Sequence, residues 1–253
     1  MSQTDRPANE QREPRTFVLV HGAWHGGWCW RPLARLLRAR GHEVFTPTLT
    51  GLGERSHLLR SDIDLDTHIQ DIVNVFAWEE ITDAVLVLHS YGGWPGSGAV
   101  EHVADRLSAL VYLDAFIPED GQSNLDMQTP ERRRGIDAAL ARGEAGRPGP
   151  KAADFAIQNP EHAAWVDARM TPQPLGVSFQ KIRLTGARDR VPVKAYIRGG
   201  AHANASFDAF LAQCEADPSW RTWNLPCGHH VMLDMTGRLA DILEDLAGVG
   251  SRQ

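Results

Sequence analysis

The run "AVLVLH" from Ala84 to His89 constrains this chain most. Six consecutive positions are apolar or aromatic, so both faces of a strand there must be covered, as in a parallel sheet with helices on either side. "TFVLVHG" (Thr16 to Gly22) and "SALVYLDAF" (Ser108 to Phe116) have the same character, and "HEVFTPTL" reads as a further strand. Amphipathic stretches separate them. Leu33, Leu36 and Leu37 share one face of "WRPLARLLRARG", which Gly41 stops, and Ile69, Ile72, Val73 and Phe76 share a face of the next helix. A helix is expected from Gly92 to about His102, with Pro95 in its first turn. "VPVKAYIRG" resumes the strands, followed by the helix "SFDAFLAQCEA", the strand and loop "WRTWNLPCGHH" and the helix "GRLADILEDLAG". Strand and helix alternate, so the predicted class is α/β, a mostly parallel central sheet flanked by helices with right-handed crossovers.

Residues 119–189 break this rhythm. They are rich in Gly, Pro, Arg and Ala, with weak helical pieces such as "PERRRGIDAALARG" and "PEHAAWVDARM" and no strong strand. This segment is far longer than an ordinary connection. It reads as a helical cap inserted into a core formed by residues 16–118 and 190–250, and residues 1–15 read as a disordered polar tail. A net charge of −6 over 253 residues argues against a nucleic-acid-binding surface. The apolar runs are too short to span a bilayer, and the N-terminus has no signal-peptide core. Cys29, Cys214 and Cys227 show neither a pairing pattern nor metal-ligand spacing, so reduced thiols in the cytoplasm are expected and no metal. The oligomeric state stays open, with a homodimer as one option.

Ser90 follows the strand directly and precedes Gly92, Gly93, Gly96 and Gly98. A strand, a sharp turn with serine at its tip and then a helix is the geometry of a nucleophile elbow. Only part of the G-x-S-x-G pattern is met, because Leu88 stands at its first position; the following glycines are expected to accommodate it. The same residues also fit a serine N-cap on a buried helix. A second strand ends in His21-Gly22 and enters a glycine-rich loop, which suits an oxyanion hole built from the backbone N–H groups of Ala23 and Tyr91. A base for Ser90 is expected late in the chain, where His229 and His230 lie together.

Taken together, "FVLVHGAWHGGWCW", "TPTLTGLGERSHL", "LHSYGGW", "VYLDAFIPEDGQS" and "GHHVML" resemble the α/β-hydrolase superfamily. More closely, they resemble the branch of plant methylesterases and hydroxynitrile lyases with their bacterial esterase-like relatives. The resemblance runs from Thr16 to about Ala247 and is weakest in the cap. It implies His229 as the base, since the family's histidine follows Gly or Asp and precedes a short apolar run. It also implies an acid after the penultimate strand, where this chain has His202 instead. Asp114 ends the strand after the nucleophile strand, the acid position of the similar haloalkane dehalogenases, and keeps the chain order Ser, Asp, His. Asp114 is therefore the expected acid, with Asp208 and the absence of an acid as alternatives.

The implied function is hydrolysis of a small or medium apolar carboxylic ester through an acyl-enzyme, with a small-molecule ester as substrate and no cofactor. Trp24, Trp94 and Trp165 are expected to wall the substrate pocket, Phe155 to line or pack the cap, and Arg132 to Arg134 to form a solvated helix face. A ligand-binding protein on a hydrolase scaffold and a cofactor-free dioxygenase of the same fold are the alternatives. Cyanohydrin cleavage is disfavoured, since lyases of this branch carry Thr and Lys where this chain has Gly22 and His230.

Overall fold

A computed structural model describes residues 13–250. The tail expected over residues 1–15 therefore lies, up to residue 12, outside the described residues. In chain order the elements begin with β1 (Thr16–Val20), α1 (Arg31–Ala39), β2 (Glu43–Phe45), α2 (Leu65–Trp78), β3 (Ala84–His89), α3 (Gly93–Val103) and β4 (Leu107–Leu113). Next come α4 (Pro130–Ala141), β5 (Gly146–Arg147), α5 (Pro160–Asp167) and β6 (Gln173–Pro174). The chain ends with β7 (Val193–Gly199), α6 (Ala205–Glu215), β8 (Trp220–Leu225), α7 (Val231–Asp234) and α8 (Thr236–Gly250). Six strands form one sheet in the order β2-β1-β3-β4-β7-β8, and every neighbouring pair is parallel.

Alternate residues along each strand go to opposite faces. Val18, Leu86, Leu110 and Tyr112 pack with Ile72 and Phe76 of α2 and with Trp94 and Val100 of α3. Phe17, Leu19, Val85, Val87 and Val111 pack instead with Leu33 and Leu37 of α1 and with Leu239, Leu243 and Leu246 of α8. Burying each such side chain contributes about 1.5–3 kcal/mol, which explains why the central strands carry almost no polar residue. α2 starts where its sequence provides a reciprocal cap, with Asp64 accepting from the Thr67 N–H and the Thr67 hydroxyl reaching back to the Asp64 N–H.

The strand order places the functional edge. The chain moves outward from β1 to β2, then returns past β1 to β3. Winding direction reverses between β1 and β3, so their following loops diverge and leave a crevice at the C-terminal edge. Gly22 to Gly27 follow β1 there, and Ser90 follows β3.

The glycines after Ser90 have distinct tasks. A Cβ on Gly92 would lie 2.8 Å from the His21 carbonyl oxygen, and one on Gly93 would lie 2.0 Å from that of Phe116. Gly98 makes room for Ile69 of α2. Gly96 is the residue that accommodates Leu88, since its Cβ would meet Leu88 Cδ2 at 2.1 Å. A larger residue before the elbow is thus matched by a missing one on α3. Gly96→Ala is expected to destabilise the fold by about 1–3 kcal/mol through overpacking. Adding Leu88→Ala should return part of that loss, and a double-mutant cycle in urea measures the coupling.

Residues 114–192 form an excursion between β4 and β7. It contains α4, α5, several single turns and the two-residue antiparallel pair β5–β6, whose register sets Arg147 opposite Gln173. No strand of this excursion joins the six-stranded sheet among the described residues.

Candidate active site

A cavity of about 220 Å³ opens above the crevice. Ala23, Ser90, Tyr91 and His229 line its floor, and the excursion supplies Asn124, Gln128, Arg147, Phe155 and Gln173 above them. Ser90 holds a left-handed backbone, φ 54°, at the turn from β3 into α3. That conformation is costly for a residue with a Cβ and persists only where surrounding structure enforces it. Here it lifts the hydroxyl off the sheet and into the cavity rather than into the core. The serine is half-buried while its neighbours Tyr91 and Gly92 are buried.

Asp114 sits at the end of β4, fully buried and also with positive φ (44°). Its Oδ2 accepts from His229 Nδ1 at 2.5 Å. Its Oδ1 accepts from the Arg198 guanidinium at 2.7 Å and from the Gly199 N–H at 3.0 Å. Burial works against the charged form, but the hydrogen bond from His229, the neighbouring His202 imidazole and the positive Arg198 outweigh it and hold the carboxyl well below the usual range. The carboxylate fixes His229 with its proton on Nδ1, leaving the Nε2 lone pair free to take a proton. Burial pushes the His229 imidazole below its ordinary value, and Asp114 only partly offsets this. Among the described residues no hydrogen bond joins Ser90 Oγ to His229; the two meet across the cavity floor. Such contacts commonly tighten only when substrate is present.

His229 is held from every side. Phe155 and Phe207 lie nearly parallel to its ring at 5.5 and 5.7 Å between centroids. Its N–H donates to the Phe155 carbonyl at 2.9 Å, and a Cβ on Gly228 would lie 2.1 Å from the Ala156 carbonyl oxygen. The excursion therefore grips the loop that carries the base. His202 stands beside Asp114 at 3.5 Å, with its ring 4.8 Å from that of His229.

Asp208, the alternative acid, is turned away: it pairs with Arg198 at 2.9 Å, and its side chain is 63% exposed. His230 adjoins the base without facing the cavity. It is fully buried and donates from Nε2 to His25 Nε2 at 2.8 Å, while His25 donates from Nδ1 to the Ala23 carbonyl at 2.6 Å. Burial lowers His25 to about 4 and His21 to about 3, so both stay neutral and serve as fixed donors and acceptors for the loop after β1. A Cβ on Gly22 would lie 2.9 Å from Ser90 Cβ. Glycine at that position keeps the approach to Ser90 open.

Two of the three expected pocket tryptophans are corrected. Trp94 is fully buried in the core under α3, because a residue in the first turn after the elbow points back at the sheet. Trp165 packs edge-on against Trp28 at 4.9 Å, on a different surface from the cavity. Trp24 lines the cavity. Arg132 of the expected solvated face does so too, at the start of α4. The cavity wall is mixed in polarity, with Arg132, Arg147, Gln128, Gln173 and Asn124 among its members, where an apolar pocket was expected. Sequence reasoning missed Arg198, a buried arginine on β7, and Phe207. The available signal was a lone arginine inside the otherwise apolar "AYIRG".

Asp114, His202 and His229 place one donor atom each within 4.8 Å of one another, which raises the question of a metal. Zinc ligands at about 2.0–2.1 Å from the ion would stand roughly 3.3 Å apart. The 2.5 Å contact between Asp114 and His229 is instead a hydrogen-bond distance. The cluster as built shares a proton rather than an ion.

Fold and site together define a doubly wound α/β protein whose strand ends bring a hydroxyl and an imidazole to one cavity, with a buried carboxylate behind the imidazole. Residues 17–242 match the model of the alpha/beta hydrolase family, to which the chain belongs. It is 39% identical to a carbendazim hydrolyzing esterase of Nocardioides sp. (strain SG-4G), over 92% of this chain and 99% of that one. It is 35% identical to methyl jasmonate esterase 1 of Vitis vinifera, over 50% of this chain and 49% of that one. Among solved structures, an extracellular alpha/beta-hydrolase from a Paenibacillus species superposes with a TM-score of 0.77 at 23% identity, covering 95% of this chain and all of that one.

Proposed function

We propose that this protein is a serine esterase in which Ser90 is the nucleophile, His229 the base and Asp114 the acid. The observation that carries this reading is the chain of contacts from Arg198 through Asp114 to His229, ending at a cavity that Ser90 enters. His229 takes the Ser90 proton as the hydroxyl attacks the ester carbonyl. Asp114 stabilises the imidazolium that forms, and the N–H groups of Ala23 and Tyr91 receive the negative oxygen. His229 then protonates the departing alcohol and activates water to release the acid. Residues 119–189 act as the cap that selects the substrate. An esterase is also what the 39% identical relative is named, and that relative makes carbendazim a candidate substrate alongside methyl esters. Among the described residues no helix is long and apolar enough to cross a membrane. Three buried free thiols, Cys29, Cys214 and Cys227, support a cytoplasmic location.

The test is turnover of a panel of methyl esters of graded acyl length, with carbendazim included, followed across pH. Hydrolysis of none of them would sink the reading. The sign of the pH dependence is set by the base. Neutral His229 is the active form, so kcat/KM rises with pH through its titration. Burial lowers that titration, so the acid limb should have its midpoint below the ordinary histidine value of about 6.5.

A further inference from the structure

The excursion leaves an uncompensated positive charge in the cavity wall. Arg147 lies on β5 with its guanidinium 4.6 Å from the centre of the Trp24 ring. Its Nε is buried without a hydrogen-bond partner, and it forms no ion pair among the described residues. Burial, with Arg132 nearby as a second cation, pulls the group down to about 10, so it remains charged at neutral pH. Asp154 is the one acidic side chain on the same wall, and its carboxylate caps the Lys151 N–H instead.

A second donor stands beside it. Gln173 is directly opposite Arg147 in the β5–β6 pair, so both side chains leave the same face. Gln173 is 2% exposed and lines the cavity. Its Oε1 accepts from the Trp24 N–H at 2.9 Å, which fixes the orientation of the amide. The Nε2 is thereby left buried with no acceptor. Orphaned buried donors are costly, and here one of them belongs to a half-buried cation without a counterion. Two of them on one face of a substrate cavity describe a subsite for a group that is planar, acceptor-only and negative.

We infer that Arg147 and Gln173 form a carboxylate-binding subsite, and that the natural substrate is an ester bearing a free carboxylate remote from the scissile bond. This rests on the esterase reading and deepens it. The ester end lies at Ser90, and the carboxylate replaces the partners that Arg147 Nε and Gln173 Nε2 lack. Trp24 lies under the guanidinium and lines the same cavity.

The test compares monomethyl adipate with methyl 6-methylheptanoate, in which a branched alkyl end replaces the carboxylate at the same chain length. Charge-assisted hydrogen bonds should make kcat/KM at least about tenfold higher for the acid ester in the wild type. Arg147→Gln should lower that ratio at least about tenfold. Gln173→Glu keeps an oxygen for the Trp24 N–H and supplies Arg147 with a carboxylate from the protein itself, so the ratio should fall similarly. Because each ratio is read within one variant, a general loss of folded enzyme cancels from it. A wild-type ratio at or below one overturns the subsite, and turnover of the neutral ester then leaves the esterase reading standing. A ratio unmoved by both substitutions overturns the assignment to these residues. No turnover of either ester, together with no fluorophosphonate labelling of Ser90, overturns both readings.

Discussion

Ser90→Ala is expected to lower kcat for ester hydrolysis by at least about 10⁴-fold and to abolish covalent labelling by a fluorophosphonate. Among the described residues that line the cavity, Ser90 supplies the aliphatic hydroxyl on the floor beside His229; Ser178 is buried in the excursion, His230 is buried beside the base, and Cys29 and Cys227 lie in the core. Stability should change little, because among the described residues the half-buried Ser90 side chain makes no hydrogen bond that alanine would lose. His229→Ala should cost turnover to the same extent but also lower Tm, since its ring fills the space between Phe155 and Phe207. The double variant should be no slower than either single one, as expected for groups that act as a unit. Labelled protein found by mass spectrometry in Ser90→Ala, or additive losses in the double variant, would remove Ser90 from the reaction.

What could be read without coordinates divides along physical lines. Strands β1, β3 and β4 are legible because a strand buried on both faces has no room for polar residues, so "FVLV", "AVLVLH" and "ALVYL" stand out. The compensation of Leu88 is legible as to kind: small residues had to follow. Which glycine faces it requires the geometry of α3, and Gly96 answers where Gly93 and Gly98 serve Phe116 and Ile69. The tryptophans were not legible. Indole is equally at home in a core and in a pocket wall, and the direction in which a helix presents it decides the matter. Nor was the polar lining of the cavity. It comes from loops, single turns and a two-residue strand pair with no periodicity to mark which side faces inward, so Arg132 and Arg147 look like any solvated arginine in the sequence. Arg198 was hidden for another reason: its meaning depends on Asp114, 84 residues earlier, and only the adjacency of β4 and β7 brings them together.

Asp114→Asn should give the other large effect, and it should be two losses in one. The amide cannot hold His229 in the tautomer that leaves Nε2 free, nor stabilise the imidazolium, so kcat should fall by roughly 10³- to 10⁴-fold. It also removes the counter-charge of Arg198, which is buried with only 1% of its side chain exposed. Breaking one side of a buried pair costs about 3–5 kcal/mol. Arg198 retains Asp208 and the carbonyls of Gly199 and His202, so the loss should fall toward the lower end of that range. The two losses separate in a second variant. Arg198→Met added to Asp114→Asn removes the stranded cation, so Tm should partly recover while kcat stays low. Asp208→Asn, at an exposed position on the far side of Arg198, should shift stability by less than about 1 kcal/mol and leave a carboxylate on His229. If Asp208→Asn silences the enzyme while Asp114→Asn turns over normally, the acid is Asp208 of α6 and not Asp114. The contact network around His229 would then have to be read as structural support for a base activated from elsewhere.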